Sequence, residues 1–177
     1  MTVPPLHCEE CGTPSPDGAG VPTCPVHGPR WRMVRNAPCA AVVISDGEGR
    51  VLLSQRARHP FAGEWEVAGG FVDLGEHPAD AARREVREEL GIEVALSGLV
   101  GEYLEPSDGG GWLQVTVYAA TTDDVPDPDP SEVMAWRWST QDEVPAVMAG
   151  GHRRRVDDWF AGRTVPLPGG HEDRTRS

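Results

Sequence analysis

The sequence predicts an α/β domain, and two observations carry that expectation. Short apolar runs with strand character stand on both sides of one strongly patterned helix, and Gly- and Pro-bearing turns separate them. The 177 residues are 38% apolar and 25% charged, enough for one domain with a real core. Residues 1–30 are of another kind: Pro, Gly, Cys and His abound there, and no apolar periodicity appears. The expected organisation is a small segment over 1–30, a main domain over 37–163 and a loose polar tail over 164–177.

Each element follows from its residues. Ala40-Ala41-Val42-Val43-Ile44 reads as a buried strand, Asp46-Gly47-Glu48-Gly49 as a turn, and Val51–Arg56 as the returning strand of a hairpin. Trp65–Val72 is a short segment that holds Gly69-Gly70. Pro78 suits the first turn of a helix that runs to Leu90, and Gly91 suits a left-handed cap. Ile92–Leu104 is strand-like, and Gly109-Gly110-Gly111 marks a turn. Trp112–Ala120 alternates, Asp123–Pro130 is an acidic loop, and Val133–Trp138 is a further strand. Gln141–Met148 and Arg153–Phe160 read as short helices.

Net charge narrows the function. The chain carries −12, while residues 1–35 balance three acids against three arginines, so the excess lies beyond them. Such a surface repels nucleic acid, whose non-specific binding depends on Lys and Arg. If phosphates are handled here, a divalent cation must stand between them and the carboxylates. No membrane-spanning run or export signal is visible, and a cytoplasmic protein is expected.

On the expected helix, Glu85, Glu88 and Glu89 fall at i, i+3 and i+4 and share one arc, beside an apolar stripe of Ala82, Val86 and Leu90. Like charges so placed repel, which makes sense if a hard cation such as magnesium sits among their oxygens. Arg84, four residues before Glu88, can hold a carboxylate in place. The plainer alternative is a solvated acidic face, which is what most Glu-rich helices present.

From Gly70 the chain reads Gly70, five residues, Glu76, seven residues, then Arg84-Glu85-Val86-Arg87-Glu88-Glu89-Leu90-Gly91-Ile92. This resembles the Nudix box, GX5EX7REUXEEXGU with U apolar, at every specified position. The resemblance implies an α/β/α sandwich with a mixed sheet. It also implies a Mg2+- or Mn2+-dependent hydrolase that cleaves a nucleoside diphosphate linked to a moiety X, such as ADP-ribose, a dinucleotide or a nucleotide sugar. By the same resemblance the Gly69 carbonyl joins Glu85, Glu88 and Glu89 as metal ligand, and Glu132 occupies a stretch from which relatives draw a further glutamate. Many relatives have proline at the position of Ala68.

Arg56 and Arg58 are candidates for gripping substrate phosphates, through the fork of donors that arginine offers. Trp65 either stacks on a base or packs in the core. Trp112, Trp136 and Trp138 read as structural, and Cys39 as an inert core thiol. Two rival functions share the scaffold, a nucleotide-sensing binding module and a diphosphate isomerase. The intact set of glutamates favours hydrolysis.

Cys8-X2-Cys11, twelve residues, then Cys24-X2-His27 has the spacing of a closed tetrahedral zinc site, with Gly12 and Gly28 after each pair. It looks like a zinc ribbon, and structural zinc can fold so short a segment. Ribbons precede the catalytic domain in Nudix NADH pyrophosphatases. Their SQPWPFPXS signature is absent here, and Pro106 only approximates the proline region of ADP-ribose-cleaving members. The ribbon is a candidate partner-binding element, and a homodimer is compatible with the sequence.

Overall fold

Ala37–Ser45 is the strand on which the main unit is built, because both of its faces are buried. In the computed structural model, which describes residues 11–13, 23–29, 36–107 and 111–167, the chain divides into two compact units, Met1–Arg35 and Asn36–Ser177. The first contains β1 (Thr23–Cys24) and β2 (Gly28–Pro29), paired antiparallel.

The second unit follows the order β3 (Ala37–Ser45), β4 (Val51–Arg56), β5 (Trp65–Glu66), β6 (Gly69–Phe71), α1 (Pro78–Leu90), β7 (Ala95–Pro106), β8 (Trp112–Thr121), β9 (Val133–Ser139), α2 (His152–Phe160) and β10 (Val165–Pro166). Its mixed sheet runs β10-β7-β8-β3-β4-β5, with β6 added to β3 and β9 to β4. Among the described strands only β3 and β8 are parallel, in register from Ala37↔Leu113 to Ser45↔Thr121.

Alternate residues of β3 feed two cores. Ala40, Val42 and Ile44 pack with Ala82, Val86 and Leu90 of α1. Ala41 and Val43 pack with Val156 of α2, against which Trp159 and Phe160 rest. The sheet is therefore covered on both faces, which explains why β3 is a continuous apolar run rather than an alternating one. Val86 and Leu90 are fully buried, each worth roughly 1.5–3 kcal/mol of transfer energy. Among the described residues no helix is long and apolar enough to cross a membrane.

Three elements differ from the sequence expectation. The hairpin across 40–56 survives only at its turn, where Ser45 pairs with Val51; β3 takes β8 as its main partner and β4 takes β9. The segment Gln141–Met148 forms a single 3-10 turn over Gln141–Glu143, because Pro145 follows at once. Val165 and Pro166, expected in a loose tail, instead add a strand beside Leu99 and Gly98, and residues 168–177 lie outside the described residues. Gly109 and Gly110 lie outside the described residues.

Candidate active site

Helix α1 starts where the sequence places it, with Pro78 in its first turn and the His77 side chain accepting from the Ala79 N–H. Gly91 closes it in the left-handed conformation. Its arc of glutamates is organised by Arg84. The guanidinium donates to both carboxylate oxygens of Glu76 (3.0 and 2.9 Å), to Glu85 Oε1 (2.7 Å), to Glu88 Oε2 (3.0 Å) and to the Phe71 carbonyl (2.9 Å). Charge-assisted bonds of this kind clamp loop 71–76 onto the helix. The contact with Glu88 that the four-residue spacing suggested is present, and the two-pronged partner is Glu76, whose carboxyl Arg84 holds below the ordinary carboxylate range.

The glycine pair lets β6 lie against these carboxylates. A Cβ on Gly70 would stand 2.5 Å from the Glu85 carboxyl carbon, and one on Gly69 would stand 2.4 Å from the Ala40 carbonyl oxygen. The Gly69 N–H donates to Glu89 Oε2 at 3.1 Å. Burial, with the nearby charge of Glu66, pushes Glu89 up to about 8, and burial also raises Glu85. Charged carboxylates crowded out of water are costly unless a cation joins them.

Sequence reasoning missed a chain of buried ionic groups beside the glutamates. Arg56 Nη1 donates to both oxygens of Glu66 (2.8 and 2.7 Å), and Glu66 is 4% exposed. Burial raises Glu66 to about 7 against the pull of Arg56. His152 and Arg155 follow on α2, with Arg155 Nη2 donating to Glu105 Oε2 at 2.7 Å. No motif or spacing in the sequence joins Glu66, Glu105 and Arg155.

These residues line a cleft of about 620 Å³. Gly69, Arg84, Glu85, Glu89 and Arg56 are on its wall; Phe61, Phe71, Glu66, Glu105, His152 and Arg155 are there as well. Glu88 is not; its side chain is 55% exposed and tied to Arg84. Arg58 and Glu132 pair with each other at 3.0 Å away from the cleft wall, and Arg58 also holds Ser131. Trp65 is outside it too, packed against the core with the Arg137 guanidinium 4.4 Å over its ring. Cys39 is buried yet on the wall, and burial raises its thiol, which disfavours the thiolate.

In the N-terminal unit, Cys11 Sγ, Cys24 Sγ and His27 Nδ1 all lie within 4.8 Å of one another. The Cys11–Cys24 and Cys24–His27 separations are both 3.7 Å. Cys24 ends β1 and His27 closes the turn into β2, so the two-residue spacing brings them to one side. Cys8 lies outside the described residues.

The family assignment rests on this frame together with sequence comparison. Residues 35–160 match the NUDIX domain family model. The chain belongs to the Nudix family. It is 34% identical to the MutT-like protein of Streptomyces ambofaciens, over 70% of this chain and 75% of that protein. The RNA pyrophosphohydrolase of Erythrobacter litoralis is 27% identical, over 65% of this chain and 82% of the relative. The crystal structure of the MutT NUDIX hydrolase from Burkholderia pseudomallei superposes with a TM-score of 0.65 at 28% identity, covering 71% of this chain and 98% of that one. This Nudix protein is a hydrolase that acts on pyrophosphate bonds.

Proposed function

We propose that this Nudix hydrolase cleaves small nucleoside diphosphate derivatives, releasing a nucleoside monophosphate and phosphorylated X. The observation that carries this reading is the set of carboxylates gathered by Arg84 and Gly69 on the wall of a cleft that Arg56 also lines. A cleft of about 620 Å³ suits one nucleotide-sized molecule. The net charge of −12 disfavours a long polyanion, although several relatives are named for RNA.

The donor set fits magnesium: hard oxygens only, three of them from like-charged carboxylates, with Glu89 and Glu85 raised chiefly by burial. Glu85, Glu88, Glu89 and the Gly69 carbonyl would hold it. When bound, the ion supplies charge neutralisation on phosphoryl oxygens and lowers the pKa of water. The chain's own groups do the rest. Arg56 Nη1 and Nε are committed to Glu66 and Pro60, which leaves Nη2 as a donor for a substrate phosphate oxygen. Glu85 Oε1 is held by Arg84, and its Oε2 lone pair takes the proton of the attacking water. Water oxygen bonds to phosphorus, the bridging P–O bond breaks, and the electron pair leaves with the departing phosphate. Arg58, Glu132 and Trp65, outside the cleft wall, have no part in this scheme.

We further propose that Cys8, Cys11, Cys24 and His27 hold a structural zinc ion. With zinc–sulfur bonds of roughly 2.3 Å, tetrahedral geometry sets ligand edges near 3.7 Å, which is the separation found at Cys11–Cys24 and Cys24–His27. Four protein ligands leave no open position, so this ion would take no part in hydrolysis. A chain truncated to begin near residue 34 should fold and keep most of its turnover.

The test is incubation of the full chain and magnesium with ADP-ribose, dinucleotides and nucleotide sugars, followed by mass-spectrometric product identification. Nucleoside monophosphate should appear. Tight nucleotide binding with no turnover would favour the sensing module and sink the hydrolytic reading.

A further inference from the structure

We infer that the inner end of the cleft selects a nucleobase presenting a carbonyl oxygen next to a ring N–H, with Arg155 and His152 donating to the oxygen and Glu105 accepting from the N–H. The inference deepens the proposed function and rests on its nucleotide substrate.

It begins with an imbalance of donors. Arg155 is 4% exposed and lies on the cleft wall. Its Nη2 has Glu105, at 2.7 Å, but its Nε has no partner. Its Nη1 stands 3.1 Å from Nε2 of His152. His152 Nδ1 accepts the Val67 N–H at 3.1 Å. Burial, with Arg155 and Arg56 nearby, keeps the imidazole neutral, so its single proton is on Nε2. Two N–H donors therefore face each other. Glu66 does not relieve them, because both of its oxygens are taken by Arg56 and it stands 3.9 Å from Nε2. Buried donors without acceptors are costly, and a donor-rich wall in a substrate cleft calls for an acceptor from the substrate.

The geometry of the donors says what kind. Two of them only 3.1 Å apart can converge on one atom with two lone pairs, which a carbonyl oxygen has and an aromatic ring nitrogen lacks. The surroundings exclude a phosphate as the preferred occupant. The Glu105 carboxylate stands beside the donors and repels an anion, and the neighbouring wall is Leu113, Val115 and Cys39, apolar and suited to a flat ring. A neutral ring with a carbonyl and an adjacent N–H satisfies both charges of the Arg155–Glu105 pair. Guanine and uracil carry that edge. Adenine has no carbonyl, and cytosine has no N–H beside its own.

The experiment is calorimetric binding of GMP, UMP, AMP, CMP and inorganic phosphate to the full chain. GMP and UMP should bind at least about tenfold more tightly than AMP and CMP, and Arg155→Gln should close that gap to about twofold. A melting curve checks that the variant is folded; if it is not, the order of the four nucleotides on the unaltered protein still decides. Equal binding of all four, preference for AMP or CMP, or no binding at all overturns the inference. So does inorganic phosphate that competes with GMP and loses its hold in Arg155→Gln, which would make the oxygen a phosphate's. Hydrolysis of adenine nucleotides in preference to guanine would overturn the base selection while leaving the hydrolytic reading standing. GMP preference without turnover of any diphosphate would do the reverse.

Discussion

The Gly69 N–H donates to Glu89 Oε2 at 3.1 Å and so joins the two candidate ligands that come from different elements, β6 and α1. An amide at position 89 can still accept that bond but cannot offer a charge. Glu89→Gln and Glu88→Gln should therefore fold normally and lose nearly all hydrolysis, a drop on the order of a thousandfold or more. Wild-type rates in both variants, measured on the true substrate at saturating magnesium, would mean the ion is held elsewhere.

Stability of the protein without magnesium should fall as the pH rises. Burial holds Glu89 at about 8 and Glu66 at about 7, against 4.5 for an ordinary glutamate. The folded protein then keeps protons that the unfolded chain releases, and stability is lost from about pH 4.5 upward, levelling beyond about 8. The loss should be on the order of several kcal/mol. Thermal melts across that range should show it, and Glu89→Gln should flatten the slope. A melting temperature that climbs with pH would contradict the burial argument.

Gly70→Ala places a methyl group 2.5 Å from the Glu85 carboxyl carbon, with no backbone penalty to spread the damage. A displacement of about an ångström at a catalytic group costs roughly a hundredfold in rate. Activity should collapse while the melting temperature moves little. Unchanged kcat would show that Glu85 can give way without consequence.

Arg56→Ala leaves Glu66 buried without its cation. Breaking such a pair typically costs about 3–5 kcal/mol, and chemical denaturation should show a shift of that order above about pH 8, where Glu66 is ionised in the intact pair. A simultaneous Glu66→Gln should recover much of the loss, because the unpaired charge is then gone. No recovery would place the damage in packing instead.

Zinc analysis of purified protein should give about one ion per chain, and Cys11→Ser or Cys24→Ser should abolish it. Undiminished zinc in both variants would remove the site.

The Arg84 clamp and the candidate zinc cluster were legible in the sequence because their geometry is local. Glu85, Glu88 and Glu89 meet through helix periodicity, and Cys24 and His27 through a tight turn. The place of Glu105 beside His152 and Arg155 was not, since α2 brings the last two together but Glu105 meets Arg155 across 50 residues and Val67 meets His152 across 85. The hairpin was legible at its turn, where β3 and β4 pair antiparallel at Ser45 and Val51; the rest of that edge of β3 goes to β6 and β4 goes on to β9, pairings that no local turn announces. Arg58 and Glu132 looked like site residues individually, and the fold turns them to each other.

The parallel pairing of β3 with β8 also bears on how the protein comes to exist. All nine residues of β3 wait for a strand some 75 positions downstream. During synthesis β3 leaves the ribosome long before β8 does, apolar on both faces and with its long partner unmade. Contacts so distant in sequence form slowly, and strands left unpaired in the meantime are prone to join other chains. Substitutions that weaken β8 should therefore show first as poor yield of soluble protein, ahead of any change in turnover by the molecules that do fold.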